Sequence, residues 1–177
     1  PGCPYGMATN PNPGSRDPNA GVVSVATGTR VLRPHLRIMT TGVFDLLHPG
    51  HLHMLEEAKK LGDELVVVIA RDESATREKH TPITHEEQRR RMVEALKPVN
   101  RAVLGHRGEY YRIVTELKPD IIALGFDQKY DEKLVEAECA NRGHAGKVVR
   151  PPHFRGDLAG TRTIIKKAAA EEATGRP

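Results

Sequence analysis

From His35 onward, short apolar runs alternate with amphipathic segments, the arrangement expected of βαβ units built on a parallel sheet. LRIMTTG, residues 36–42, reads as a first strand ending at Gly42. GHLHMLEEAKKLG sets Leu52, Leu55, Ala58 and Leu61 at helical spacing, with Gly62 positioned to terminate the helix. ELVVVIA is an uninterrupted apolar run, as a strand covered on both faces requires. THEEQRRRMVEAL predicts a helix with Thr84 as its N-cap, Glu87 completing a capping box and Pro98 beyond its end. Strands at RAVLG, DIIALG and KVVR, helices at EYYRIVTELK and DEKLVEAECANRG, and a last helix from Thr161 complete the series. With right-handed crossovers this predicts an α/β fold, a three-layer Rossmann-like sandwich on a parallel five-stranded sheet, with five helices.

Ligands of open parallel sheets bind beyond the carboxyl ends of the strands. Chemistry is therefore expected after Thr41, Ala70, Gly105, Gly125 and Arg150, where the chain reads GVFDLLHPGH, RDES, HRG, FDQKYD and PPHFRGD.

Residues 1–34 break the pattern. Their first twenty positions are dense in Pro, Gly and Asn with almost nothing to bury, so ordering them would cost backbone entropy with little return. They are expected to be a flexible arm or a tag remnant, Met7 being a candidate start; VVSVA within them could add an edge strand. The expected domain is then residues 35–177. At 177 residues the chain suits one domain with a sizeable core. The net charge of +4 makes anionic partners plausible without choosing among them. Two cysteines, Cys3 and Cys139, make neither a metal spacing nor a disulfide framework. No apolar run is long enough for a membrane span and no signal-peptide pattern is present, so a soluble cytoplasmic protein with no membrane partner is expected.

The distinctive stretch is His48-Pro49-Gly50-His51 at a strand-to-helix junction. A helix N-terminus presents unpaired amides and the positive end of its dipole, so it attracts anions before any side chain contributes. Pro49 suits the first turn, Gly50 leaves room for close approach, and the two imidazoles can face one ligand. A donor aimed at developing charge in a drained cleft supplies roughly 3–4 kcal/mol, against about 0.3–1 kcal/mol for the dipole alone. The plainer alternative has His48 capping the helix and His51 half-exposed. A metal site using Asp45 or His53 is a weaker fit, because the spacing is not that of zinc-binding helices.

Gly42-Val43-Phe44-Asp45 followed by His48-Pro49-Gly50-His51 resembles the GxFDxxHxGH signature of the cytidylyltransferase-like nucleotidyltransferases. The likeness runs from about Arg37 to Lys167. LGDELVVVIARDES, EEQRRRMVEALKPVNRAVLG, LKPDIIALGFDQ and TRTIIKK are most similar to the archaeal FAD synthases, which transfer AMP from ATP to FMN. The resemblance implies that a nucleoside triphosphate with Mg²⁺ lies over the end of the first strand, with His48 and His51 on its phosphates and Gly42, Val43, Phe44, Asp45 and Gly50 lining the site. It implies triphosphate contacts from Arg89, a nucleotide-holding acid at Asp127 beside Gly125, and a catalytic lysine at or near Lys79, where the alignment is ambiguous. Thr161, Arg162 and Thr163 stand where relatives carry a hydroxyl-rich turn entering the last helix; Arg162 departs from that pattern but can fork onto phosphate. His153 and Arg155 could touch an acceptor phosphate. Many relatives form dimers, so a homodimer is compatible.

The reaction so implied is transfer of a nucleoside monophosphate from ATP or CTP to a phosphorylated small-molecule acceptor, with FAD synthesis leading. The enzymatic alternative is a CTP-dependent cytidylyltransferase acting on a polyol phosphate such as glycerol 3-phosphate, a lipid headgroup phosphate or a phosphonate. A nucleic-acid-binding module is disfavoured by an aromatic content of 4% and the lack of a recognition motif. A nicotinamide enzyme would require the missing GxGxxG. A non-catalytic nucleotide sensor on the same fold remains a further class.

Overall fold

The computed structural model describes residues 34–78, 80–156 and 160–174; the arm, its VVSVA segment and Lys79 fall outside them. The order is β1 (Arg37–Gly42), α1 (Pro49–Lys59), β2 (Glu64–Ile69), α2 (Asp72–Glu78), α3 (Glu86–Glu94), β3 (Arg101–Leu104), α4 (Arg112–Leu117), β4 (Ile121–Ala123), α5 (Glu132–Asn141), β5 (Lys147–Val149) and α6 (Thr161–Ala173). All strand pairings are parallel, in the order β3-β2-β1-β4-β5. The expected α/β sandwich is the fold of the protein.

Strand periodicity divides the core in two. Ile38, Leu65, Val67 and Ile69 face one side, against Leu55 and Ala58 of α1 and Val93 of α3. Met39, Val66, Val68 and Ile122 face the other, against Ile113, Val114 and Leu117 of α4 and Val135 and Cys139 of α5. The continuous ELVVVI run thus serves two layers, as a central strand must. The chain leaves β1 for β2 on one side and returns to β4 on β1's other edge. That reversal opens a crevice at the carboxyl ends of β1 and β4.

Several local expectations are corrected. A sixth helix, α2, forms within the loop expected after β2. Its DESATRE sequence has Ala75 as its one apolar side chain, so no period marked it. The cap of α3 is His85, whose Nδ1 accepts the Glu87 amide at 3.3 Å while Gln88 completes the box; the Thr84 hydroxyl turns to Asp45 instead. Helix α1 ends at Lys59 with Lys60 as an ordinary right-handed cap. Gly62 serves close packing: an added Cβ there would lie 2.7 Å from both Ile38 Cδ1 and the Leu36 carbonyl.

Candidate active site

Helix α1 begins directly beneath the end of β1. His48 is its N-cap, with Pro49 in the first turn, and His48 Nδ1 accepts the His51 amide at 3.3 Å. That bond leaves the proton of the neutral ring on Nε2, which is then a donor. The His48 and His51 rings stack with centroids 3.7 Å apart and planes 22° from parallel. The plainer expectation holds in that His48 is a cap; its ring and that of His51 also form one half-buried surface at a helix N-terminus. Burial lowers the pKa of His48 below its ordinary value, partly offset by the negative charge of Asp127.

The turn leading to this pair is held by packing. Phe44 adopts a left-handed backbone (φ 53°), rare for a bulky residue. Its buried ring folds back over Gly42, where a Cβ would sit 2.8 Å from it, and lies 5.0 Å from the His51 ring. Phe44 thus props His51 from the core side. Gly50 is buried in the first turn, and Val43 borders an adjoining cavity.

Two expected contact residues lie underneath the surface. Asp45 is 3% exposed. Its carboxylate accepts the amides of Ile83 and Thr84 and the Thr84 hydroxyl, each at 2.9 Å to Oδ1, fastening the GVFD turn to the segment that enters α3. Burial, the largest single influence, pushes its carboxyl up; the hydrogen bonds and nearby His80 together outweigh it and hold the pKa below its ordinary value. Arg89 has a fully buried side chain. It donates to the carbonyls of Thr84 (2.9 Å), Ala70 (2.9 Å) and Val43 and to Asp72 Oδ1 (2.5 Å). The guanidinium expected on the triphosphate instead joins the ends of β1 and β2 to α2 and α3. Arg90 pairs with Glu87 and Glu94, and Arg91 is exposed. Asp45 is likewise turned away from the histidines and His53 faces Phe154 at 5.5 Å, so no metal set assembles around His48. Among the described residues no group of three or more His, Cys, Asp or Glu could hold a metal ion.

The opposite lip is the GFDQKY loop after β4. Gln128 Nε2 donates to the Thr41 carbonyl at 2.8 Å and its Oε1 accepts the Gly125 amide at 3.0 Å, which ties the loop to β1. Arg150, at the end of β5, donates to the carbonyls of Gly125, Gln128 and Tyr130 and to Glu132. Asp127 is exposed on this loop, close enough to bias His48. Phe126 and His153 pack with ring centroids 3.9 Å apart, joining the loops after β4 and β5. At the start of α6, Thr161 is half-buried while Arg162 and Thr163 are exposed, and α6 buries no residue. The structure therefore joins His48, His51, Gly42, Val43, Gly125 and Asp127 around one crevice. The residues of α6 stand apart from it.

Between the lips lies a cavity of about 490 Å³ on the α4–α5 side of the sheet. Sequence reasoning missed it, together with the anchoring roles of Gln128 and Arg150. A usable signal existed: three of the chain's four tyrosines, at 110, 111 and 130, lie in the segments that lead from β3 and β4 into the next helices.

Residues 39–172 match the family model described as cytidylyltransferase-like. The chain belongs to the cytidylyltransferase-like family. It is 59% identical over 133 residues to an FAD synthase of Aciduliprofundum boonei, an alignment covering 75% of this chain and 89% of that protein. An FAD synthase of Methanosarcina mazei is 51% identical, with 74% and 87% covered. A crystal structure named as a lipopolysaccharide core biosynthesis protein from Thermoplasma volcanium superposes with a TM-score of 0.68 at 48% identity, covering 69% of this chain and all of that one. The cytidylyltransferase-like protein described here is an enzyme of the nucleotidyltransferase type, related to archaeal FAD synthases. Among the described residues no helix is long and apolar enough to cross a membrane.

Proposed function

We propose that the protein is an FAD synthase that transfers AMP from ATP, bound with Mg²⁺, to the phosphate of FMN. The observation that carries this reading is the stacked His48–His51 pair at the N-terminus of α1 in a chain 59% identical to an FAD synthase. An oxygen of the FMN phosphate attacks the α-phosphorus of ATP, the bond from that phosphorus to the bridging oxygen of the β-phosphate breaks, and pyrophosphate departs carrying that oxygen. The products are FAD, with its new phosphoanhydride, and pyrophosphate.

Such a transfer requires no enzyme nucleophile; it requires alignment and neutralisation of charge. The amides at the start of α1 and the Nε2–H of His48 meet the polyphosphate, with His51 beside them. An arriving anion favours the charged form of His48, which burial disfavours. Val43, Gly125 and Asp127 border the nucleotide, and Asp127 offers a carboxylate to its ribose or to its metal. Arg89, Asp45 and Phe44 act through position, holding the turn that presents the histidines. In this reading Thr161, Arg162 and Thr163, at the start of α6, are further nucleotide contacts.

The name of the Thermoplasma volcanium structure favours a second reading, a phosphorylated sugar as acceptor. One experiment separates the two. Purified protein with MgATP or MgCTP is offered FMN, glycerol 3-phosphate and sugar phosphates, and pyrophosphate and product mass are recorded. Pyrophosphate that depends on ATP and FMN together, with FAD as product, is expected; turnover only with a sugar or polyol phosphate would replace FMN as the acceptor.

A further inference from the structure

The cavity of about 490 Å³ is not lined by His48 or His51, yet Thr41, Gly42, Val43 and Asp127 line it, and Asp127 is close enough to His48 to bias its charge. Its volume lies within the range of about 300–1,000 Å³ usual for small-molecule sites. It descends from the ends of β1, β2 and β4 into the core layer under α4 and α5, so its floor is hydrocarbon from Met39, Val68, Ile113, Ile122 and Leu124. Its charged and polar lining includes Arg71, Glu78, His106, Asp127 and Lys129.

Tyrosines stand around the opening. Tyr110 and Tyr111 precede α4 and Tyr130 precedes α5, and all three border the cavity. Two polar contacts bind this rim to the end of α2. The Tyr130 hydroxyl donates to Glu78 Oε2 at 3.3 Å, and Arg77 donates to the Tyr110 hydroxyl with its guanidinium carbon 5.9 Å from that ring. Partial burial, reinforced by Glu78, pushes the Tyr130 phenol up to about 12, so it keeps its donor proton throughout the neutral range. As whole residues Tyr110 and Tyr130 are nonetheless each 45% exposed, so both remain accessible to a ligand at this rim.

A deep apolar floor is a poor host for a polyol, whose hydroxyls would be buried with nothing to bond. It suits a flat fused aromatic ring with one hydrocarbon edge, stacked on tyrosine faces, whose polar edge and phosphate tail stay near the opening. A tail leaving through Thr41–Val43 and Asp127 would bring its phosphate to the histidine crevice from the side opposite α1, where an attacking oxygen has to come from. Resting on the FAD synthase reading above, we propose that this cavity is the acceptor's subsite. It seats the isoalloxazine ring of FMN, with Tyr110 and Tyr130 as the residues that select for it.

The test uses the full chain and the variants Tyr110→Ala, Tyr130→Ala and Tyr130→Phe, with thermal melting to establish that each folds. FMN binding is followed by flavin fluorescence without nucleotide, and KM is measured separately for FMN and for MgATP. Each alanine variant should weaken FMN binding and raise its KM about tenfold, the usual scale for losing an aromatic stacking partner, with the KM for MgATP little changed. Tyr130→Phe, which keeps the ring and loses only the Glu78 contact, should bind FMN nearly as wild type does. If wild type forms FAD while the alanine variants retain its FMN affinity, the subsite is wrong and the reaction stands. A rise in the KM for MgATP instead would assign the cavity to the nucleotide and overturn the proposal. Wild type that transfers AMP only to other acceptors would overturn both.

Discussion

His48 carries two tasks on one ring: Nδ1 closes the helix, which leaves Nε2 as the ring's donor. Burial, the larger influence, disfavours its charged form, while Asp127 works against that. In the free protein His48 should therefore titrate below its ordinary value of 6.5, and Asp127→Asn should lower it further. Binding of a polyphosphate should raise it. Imidazole NMR shifts followed against pH, with and without MgATP, check all three directions; a ring that titrates upward when Asp127 is neutralised would contradict the coupling. Gly42 has a different reason to be glycine. Because a Cβ there would strike the Phe44 ring, Gly42→Ala should displace Phe44 and its neighbour His51, and turnover should fall further than stability does. Neither effect was visible in the GxFDxxHxGH string. It announces a phosphate site but does not separate residues that touch the ligand from those that shape the turn.

At the scale of elements, the loops are fixed by polar networks that run beneath the site. The amide of Asp72 donates to Glu86, the amide of Glu86 donates to Asp72, and Arg89 and Arg71 pair with these carboxylates, so the starts of α2 and α3 cap each other. Replacing Arg89 by Met would leave the Asp72 carboxylate and the Val43, Ala70 and Thr84 carbonyls without their shared donor. A loss of about 3 kcal/mol or more in denaturant unfolding is expected. Arg89→Lys should recover little of it, since one ammonium cannot span four acceptors. Asp45 gives a pH signature. Its folded pKa lies below its ordinary value of 3.8, so its stabilisation is full above that value and is lost as pH falls below it. The melting-temperature gap between wild type and Asp45→Asn should be open at about pH 6 and narrow as pH falls below 3.8.

Much of this scale was legible and some of it was not. Strands and long helices announced themselves through periods of two and 3.6, because burial imposes those periods. Helix α2 did not, being held by its ends rather than by an apolar face. Three consecutive arginines look alike in a sequence; helical geometry required them to diverge, and only the packed structure places Arg89 inside. The cap at His85 rather than Thr84 reflects a competition that Asp45, far away in the chain, decides.

Over the whole molecule, function sits where the sheet reverses direction. The α1 side supplies charge-accepting groups and the α4–α5 side supplies a hydrocarbon-floored cavity; the two meet at Thr41–Val43. Arg150 and Gln128 keep the GFDQKY loop across that junction. Arg150→Ala should accordingly raise the KM of both substrates with a smaller change in stability, which steady-state kinetics beside a thermal melt would detect. The fold and the phosphate end of the site could be read from the sequence because both follow local patterns. The cavity could not, since its walls come from four strand ends and from α2, α4 and α5, which only the sheet order brings together. The central claim is that the stacked imidazoles hold charge on the transferred phosphoryl group. It is tested most directly by the turnover of His51→Ala with MgATP and FMN at saturation: a fall of about 10²–10³-fold with the fold intact is predicted, and turnover close to wild type would contradict it.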